Sequence, residues 1–279
     1  MSDLPLQGAD DPPVGSAVDP RSATAELAAT GPAIRRSVPP SAILRWVSAG
    51  VADFRQAPLA SMSVGLVCTL LSWALTGAIM ATSYAVLILP LTAGFMFAAP
   101  LLAVGLYEGS RRHGLHLPVT PGTTWAAWRR NPSQIAFMGV LLMLFLYGWL
   151  RIATMIFALF FGLELPPLGR FLSTAFLAPE NLGFALVGTG TGAVMAAIVF
   201  GLSAISLPLL VDRPLDAITA AITSMRACCA NPVTMALWAA VIVALTAVAA
   251  VPGFLGFIVV LPVLGHATWH AYRDLVLPE

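Results

Sequence analysis

RQAPLASMSVGLVCTLLSWALTGAIM, residues 55–80, ends a short amphipathic stretch with a proline and continues as a long apolar run. An apolar run of about 20 residues is long enough to cross a hydrocarbon core about 30 Å thick as a helix. The same junction recurs as RRNP at residues 129–132 and as CANP at residues 229–232. Each junction opens a pair of apolar segments, which predicts three related units with two membrane spans each.

The second apolar segment of each pair carries a proline followed by two apolar residues, at Pro100, Pro208 and Pro262. The first and third units agree further: residues 95–111 and 257–273 share the spacing of an aromatic residue, the proline, a second aromatic residue and an arginine. Such internal repetition is typical of many transporter folds, where helix breaks shape a site. We expect breaks at these prolines and equal depths for Pro100 and Pro262.

The predicted fold class is an all-α membrane protein with six transmembrane helices arranged as three hairpins, each preceded by a short interfacial amphipathic helix. The predicted spans lie near residues 59–80, 84–107, 134–161, 182–209, 233–250 and 254–271. The predicted repeat units cover about 41–112, 119–212 and 213–274.

Composition excludes an ordinary soluble domain. Hydrophobic residues make up 58% of the chain and charged residues only 10%, whereas soluble domains carry about 25% charged residues. The net charge of +1 gives no reason to expect a nucleic-acid partner. Residues 1–40 differ, because they are rich in proline and aspartate and poor in apolar residues. A disordered cytoplasmic tail over 1–40 and a membrane domain over 41–279 are predicted.

The first amphipathic helix is predicted over residues 41–56, with Ser41 as its N-cap. Its apolar positions recur at helical spacing, at Leu44, Val47, Val51 and Phe54. The second begins at Thr120, a predicted N-cap followed by proline, and places Trp125 and Trp128 about one turn apart. The third has an apolar stripe at Leu215, Ile218, Ile222, Met225 and Cys229. We predict that all three helices lie in the membrane interface. The alternative is that their apolar faces bind the groove of a partner protein.

The arginines predict the orientation. The turns that join the first and third hairpins carry no charge, and Arg170 is the single arginine assigned to that side. Eleven arginines fall on the opposite side, which the positive-inside rule makes cytoplasmic. They are Arg35, Arg36, Arg45, Arg55, Arg111, Arg112, Arg129, Arg130, Arg213, Arg226 and Arg273. The predicted location is therefore a bacterial inner membrane, with both termini in the cytoplasm.

The residues predicted to contact lipid headgroups are basic or aromatic and flank the spans. They are Arg45, Arg55, Arg129, Arg130, Arg151, Trp125 and Trp128. Arg151 lies about 25 Å along the third span, near its outer boundary, and Tyr147 and Trp149 flank it as an aromatic belt would. This counting favours an interfacial Arg151, and a buried functional charge is the alternative.

Four stretches carry a family resemblance. They are ILRWVSAGVADFRQAP (43–58), AGFMFAAPLLAVGLYEGSRR (93–112), LPLLVDRPLDAITAAITSMRACCANP (207–232) and VVLPVLGHATWHAYRDLV (259–276). In these stretches the chain resembles an uncharacterised family of bacterial integral membrane proteins, the domain of unknown function 2189. The resemblance covers about residues 35–277 and implies a multi-pass inner-membrane protein. The family has no established activity, so the resemblance assigns no functional residue.

Few residues suggest chemistry. His266 and His270 lie four apart on one helix face, and Glu108 and His113 could join them at the cytoplasmic mouth of the bundle. Such a set could bind a metal or, through a histidine, a haem. Packing and hydrogen bonding are the favoured interpretation, so no metal or cofactor is predicted. The glycine-rich GTGTG at residues 188–192 lacks a phosphate-loop context and predicts close helix packing.

Two classes of function follow. The favoured hypothesis is a non-catalytic accessory or scaffold protein whose partners are the bilayer, its anionic headgroups and other membrane proteins. The alternative is a small-solute transporter or channel at the repeat interface, for which a polar cavity among the even-numbered spans would be evidence. A haem or metal protein using His266 and His270 is a weaker alternative. No enzymatic activity is expected, because the sequence has no recognisable catalytic motif.

Overall fold

The computed structural model describes residues 31–82, 88–162 and 178–278. The chain divides into a segment Met1–Gly31 and a body Pro32–Glu279. Most of the predicted tail therefore lies outside the described residues. The regular elements of the described part are all helical, apart from one isolated β-bridge, which confirms the all-α prediction.

Eleven α-helices follow one another along the described chain. They are α1 (Ala42–Gln56), α2 (Pro58–Met80), α3 (Ile88–Leu102), α4 (Val104–Gly114), α5 (Pro121–Trp125), α6 (Pro132–Phe161), α7 (Leu182–Ser203), α8 (Ser206–Asp212), α9 (Ala217–Ala230), α10 (Pro232–Ala250) and α11 (Phe257–Leu275). Two short 3-10 helices, Ala126–Arg129 and Pro179–Asn181, extend α5 and precede α7.

Five helical stretches of the described chain are long and apolar enough to cross a membrane. They are Pro58–Met80, Pro90–Gly114, Pro132–Phe161, Pro179–Asp212 and Pro232–Ala250. Each overlaps one of the first five predicted spans closely, because length and hydropathy can be determined from local sequence. The sixth predicted span forms the helix α11, but α11 is not among the five. Its C-terminal half contains His266, His270, Arg273 and Asp274, which lower its hydropathy.

The three proline junctions have the same local structure. Ala57, Asn131 and Asn231 each precede a span-opening proline, and their φ values are −136°, −150° and −134°, with ψ values of 62°, 67° and 51°. Proline disfavours the helical conformation in the residue before it, so the short helix ends there. The proline itself is accommodated in the first turn of the span. One chain turn is therefore used three times.

The second-arm prolines are less uniform than the sequence predicted. The second span breaks at Ala103, three residues after Pro100, and the fourth breaks between Ser203 and Ser206, just before Pro208. Proline removes a helical hydrogen bond and crowds the preceding turn, which accounts for the second of these breaks. Pro262, however, lies inside the continuous helix α11. The expectation of a break at every proline was wrong for the third unit.

The asparagines at two junctions also tie neighbouring units together. The side chain of Asn131 donates to the carbonyl of Leu215, at the entry to α9. Asn231 accepts from the backbone N–H of Val38 at 2.8 Å and donates to the carbonyl of Arg35 at 2.9 Å, at the entry to α1. The second unit thus fixes the entry of the third, and the third fixes the entry of the first.

Glycines allow each short helix to pack closely on the second arm of another unit. A Cβ on Gly50 of α1 would lie 2.6 Å from the carbonyl oxygen of Val263 in α11. A Cβ on Gly105 of α4 would lie 2.7 Å from Thr124 of α5, and one on Gly201 of α7 would lie 2.9 Å from Met225 of α9. At Gly50 and Gly105 the close atoms include backbone, which cannot move aside, so glycine sets the spacing at these two contacts. At Gly201 the close atoms are the flexible end of Met225.

The last helix, α11, is at the centre of the described bundle. It packs against α1, α2, α4, α8 and α10, and most of its side chains from Leu264 onwards are buried. Its polar residues therefore face other helices, which makes a strongly apolar sequence unnecessary. Phe95 and Phe257, which occupy equivalent places in the first and third units, stack with their ring centroids 5.6 Å apart.

Packing begins before residue 41, earlier than the predicted domain boundary. Ile34 forms a β-bridge with Val276, and the carbonyl of Ala33 accepts from the N–H of Leu277. Val38 is buried. These residues are ordered by hydrogen bonds to the end of the chain, a long-range contact that composition cannot indicate.

Two local predictions had opposite outcomes, and a third was partly wrong. Thr120 forms a capping box with Thr123, as expected for the start of α5. Ser41 makes no side-chain cap to α1, because the chain is already helical at that residue. In the glycine-rich stretch of α7, Gly192 lies against Trp149, but Gly188 and Gly190 have no neighbouring atoms. Close packing therefore applies to only one of these three glycines.

Candidate functional site

Asp53 is a buried carboxylate on the inner face of α1. This face is formed by Ile43, Trp46, Gly50 and Asp53, which recur every three or four residues. Because Gly50 brings α1 close to α11, the side chain of Asp53 is enclosed and only 6% exposed. A buried carboxylate requires hydrogen-bond donors, and those around Asp53 come from two other helices.

Two hydrogen-bond partners, a serine and a histidine, surround Asp53 together with a second histidine at a longer distance. Ser110 Oγ donates to Oδ2 at 2.5 Å, and His270 Nε2 lies 2.9 Å from the same oxygen. His113 Nδ1 lies 3.4 Å from Oδ1. Burial raises the pKa of the Asp53 carboxyl, but these polar contacts outweigh burial and hold the pKa below its ordinary value of 3.8. Asp53 is therefore an ionised side chain.

A chain of hydrogen bonds leads from Asp53 into the bundle. Ser110 Oγ lies 2.7 Å from His266 Nδ1, and Ser61 Oγ of α2 lies 2.9 Å from His266 Nε2. Gly109 makes room for the imidazole, since a Cβ there would lie 3.3 Å from His266 Cε1. The chain Ser61–His266–Ser110–Asp53 thus joins α1, α2, α4 and α11.

The charge on Asp53 fixes the direction of these bonds. An ionised carboxylate only accepts, so Ser110 must give its single proton to Asp53. Ser110 Oγ then accepts from His266 Nδ1–H, and in the neutral ring Nε2 accepts from the hydroxyl of Ser61. The structure thereby assigns the Nδ1-protonated tautomer to His266.

Ser61, His266 and Asp53 are the residue types of a nucleophile, a base and an acid. A substrate, however, could not reach the serine. Ser61 is 2% exposed, and it does not line either of two apolar clefts among the described residues. A nucleophile needs a place where the reacting atom of a substrate can approach. The network therefore acts as a cross-link between four helices.

Glu108 lies in a separate cluster of charges. It is 4% exposed, and Arg111 binds it with two nitrogens, Nε at 2.7 Å and Nη2 at 3.0 Å. Arg112 Nη1 and Arg130 Nε approach the same carboxylate to 3.7 Å and 3.8 Å. One buried acid thus lies among three guanidinium groups.

The structure divides the four candidate metal ligands between these clusters. His113, His266 and His270 belong to the Asp53 network, whereas Glu108 belongs to the arginine cluster. In the part of the chain that the structure describes, no group of three His, Cys, Asp or Glu side chains could hold a metal ion. Glu108 does not join the histidines, because the guanidinium groups occupy its carboxylate.

The predicted headgroup residues mostly lie on the surface. Arg55, Arg129, Arg151, Trp125 and Trp128 are exposed. Arg45 pairs with Asp274 at 3.2 Å, and Arg130 contacts Glu108 and the carbonyl of Val211. The aromatic belt around Arg151 was wrong for Trp149, which is buried and donates to the carbonyl of Pro90.

Sequence analysis missed Asp53, Ser61 and Ser110. A signal for Asp53 was present, since it lies at helical spacing from Ile43, Trp46 and Gly50 and so belongs to the face of α1 that is buried. No comparable signal marks the two serines. They meet His266 across 205 and 156 positions of sequence, respectively, and such contacts depend on tertiary packing.

Comparison with protein families identifies the middle of the chain. Residues 88–212 match the family described as predicted integral membrane protein (DUF2189). The family resemblance is confirmed. The DUF2189 match begins in α3 and ends with α8, so the Asp53 network and α11 extend beyond it. Comparisons with curated proteins and with solved structures gave no match.

Proposed function

We propose that this integral membrane protein is a six-span, non-catalytic component of a bacterial inner membrane. Its three short helices lie in the cytoplasmic leaflet, where they bind anionic lipid and present a surface to other membrane proteins. Both termini are cytoplasmic. The observation that carries the proposal is the direction in which the apolar stripes of these helices point.

Each short helix exposes large apolar side chains on the face that points away from the bundle. Leu44 of α1 is 76% exposed and Ile218 of α9 is 62% exposed. Trp125 of α5 and Trp128 just after it are exposed too. The opposite faces of α5 and α9 pack on the bundle through small residues such as Thr124, Ala220 and Ala227, whereas α1 packs through Ile43, Trp46 and Gly50. Such outward stripes suit the acyl-chain boundary of a membrane.

The pairing of the two ends of the body supports an even number of spans. Ile34 and Val276 form a β-bridge, so the chain enters and leaves the body at the same place. Both ends therefore lie on one side of the membrane, which five spans would not allow. The sixth crossing is assigned to α11, whose polar side chains are shielded by its neighbours.

The alternative functions have less support. The two clefts, of about 180 Å³ among α2, α3 and α10 and about 230 Å³ among α3, α6 and α7, are lined mainly by apolar side chains. Small-solute transport is better served by a polar cavity at the repeat interface. Haem or metal binding would require the imidazoles of His266 and His270, which are engaged with Ser110 and Asp53.

The leaflet assignment is tested with two cysteine variants of α1 in a background without native cysteines. Leu44→Cys lies on the outward stripe, and Gln56→Cys is an exposed polar position of the same helix. In proteoliposomes, an environment-sensitive fluorophore at residue 44 should be quenched by lipids that carry a nitroxide near the headgroup. At residue 56 it should instead be quenched by aqueous iodide. Equal accessibility to iodide at both positions would contradict the interfacial location.

The span count is tested separately with reporter fusions. Alkaline phosphatase fused after residue 165 should be active, because that position is assigned to the periplasm. Phosphatase fused to the C-terminus should be inactive, and a green fluorescent protein there should be fluorescent. A C-terminal phosphatase with full activity would indicate five spans and would refute the topology.

A further inference from the structure

We propose that the cytoplasmic end of α4 carries a binding site for the phosphate group of one anionic phospholipid. Arg112 and Arg130 form the site, and Glu108 and Arg111 organise it. The proposal rests on the proposed function in one respect, that this end of α4 lies at the cytoplasmic headgroups. It adds a defined site to what would otherwise be a diffuse basic surface.

The first argument is the charge balance around Glu108. Three guanidinium groups lie within 3.8 Å of one buried carboxylate. The negative charge of Asp212 also attracts Arg111. The Asp212 carboxylate, however, already accepts a hydrogen bond from Tyr272 at 2.6 Å and pairs with Arg273 at 3.4 Å. With Arg273 counted, four cations face two anions. The cluster therefore has two more positive than negative charges, and a further anion beside it would reduce their mutual repulsion.

The second argument is the supply of donors. Arg111 uses Nε and Nη2 on Glu108. Arg112 and Arg130 instead use their Nε atoms on backbone carbonyls, those of Pro118 at 2.8 Å and Val211 at 3.4 Å. These bonds fix the orientation of both guanidinium groups. Within the described parts of the chain, Nη2 of Arg112 and both Nη atoms of Arg130 have no hydrogen-bond partner.

The third argument is location. Arg112 and Arg130 are partly exposed, with 21% and 42% of their side chains accessible. Trp125 and Trp128 are exposed on the adjoining segment, and tryptophan is enriched at the level of lipid headgroups. Arginine is suited to phosphate because its planar fork can donate two parallel hydrogen bonds. A lipid phosphate placed here would offset one of the two excess positive charges.

The experiment measures phosphatidylglycerol binding to purified full-length protein by native mass spectrometry in a mild detergent. Arg112→Gln and Arg130→Gln should each weaken binding about tenfold, since each removes charge-assisted hydrogen bonds. Arg129→Gln removes an adjacent exposed charge that does not contact Glu108, and it should weaken binding only about twofold. Arg130→Lys keeps the charge but loses the fork, and it should give an intermediate loss.

Three outcomes would overturn the proposal. Equal losses for Arg129→Gln and Arg130→Gln would show diffuse attraction instead of a site. Unchanged binding in both Arg112→Gln and Arg130→Gln would exclude these residues. Competition by glycerol phosphate at the concentration of phosphatidylglycerol would assign the site to a soluble phosphate ester and not to a lipid. The fluorophore at residue 44 reports the leaflet assignment independently, so failure of the site and failure of the proposed function can be told apart.

Discussion

Replacing Gly65 with alanine is expected to destabilise the protein by about 3 kcal/mol, although the change adds a single methyl group. A Cβ at this position would lie 2.6 Å from the carbonyl oxygens of Phe257 and Ile258 and 2.7 Å from the Cα of Ile258. All three atoms belong to the backbone of α11 or its first turn. They cannot move aside as a flexible side chain could, so α2 and α11 must separate.

The matched control for this prediction lies on the same helix. Gly77 is also in α2, but no atom lies within 4 Å of a Cβ built there. Gly77→Ala should be neutral or stabilise the protein by up to about 1 kcal/mol, because alanine is the better helix former. Thermal unfolding of both variants in the same detergent measures the difference. A Gly65→Ala protein as stable as Gly77→Ala would show that the α2–α11 contact is looser than described.

Replacing Asp53 with asparagine is the second large expected effect, a loss of about 3 kcal/mol at neutral pH. The amide is nearly isosteric, so the change removes the charge without creating a cavity. It weakens the bonds from Ser110 and His270 and the contact with His113, and it frees the direction of the chain through His266. Unfolding of both proteins in detergent, followed by circular dichroism, measures the loss.

The effect should depend on pH in a defined direction. The folded state holds the pKa of Asp53 below 3.8, so this carboxylate stabilises the fold above about pH 4. That contribution is lost as the pH falls through the lower, folded-state pKa. The difference between wild type and Asp53→Asn should therefore shrink as the pH falls below about 4.

Asp274→Asn is the matched control for Asp53→Asn. Asp274 pairs with Arg35 and Arg45, whose side chains are 54% and 62% exposed. It also accepts from Trp46 Nε1 at 3.1 Å, and the amide oxygen of asparagine can keep that bond. Ion pairs this open to water contribute about 0–1 kcal/mol, so the loss should be much smaller. An Asp53→Asn protein no less stable than Asp274→Asn would mean that the buried network does not stabilise the fold.

The spans and their starting points could be predicted because they depend on local sequence. A run of apolar residues specifies a membrane-crossing helix wherever it occurs, and the proline at each junction ends one helix and begins another. The same argument was incomplete for α11. Its mixture of polar and apolar residues can be interpreted only when the neighbouring helices are known, because a helix buried among other helices does not need to be apolar throughout.

Sequence periodicity could not predict which face of each short helix packs against the bundle. Leu44, Val47, Val51 and Phe54 recur at helical spacing along α1, but spacing alone cannot say what such a stripe faces. In the structure the neighbouring stripe, with Gly50 and Asp53, packs on α11. That choice was made by the fit of glycine against the backbone of another helix, and a sequence pattern does not contain this information.

The sequence by itself therefore determined the membrane location, the helical class, the approximate bounds of the spans and the three proline junctions. Tertiary structure alone decided that Asp53 is buried, that Ser61 and Ser110 bind His266 from opposite sides, and that Ile34 pairs with Val276. The reason is physical. Hydropathy and backbone preference act over a few residues, whereas a buried charge is stabilised by donors that lie far apart in the chain and meet only when the helices pack.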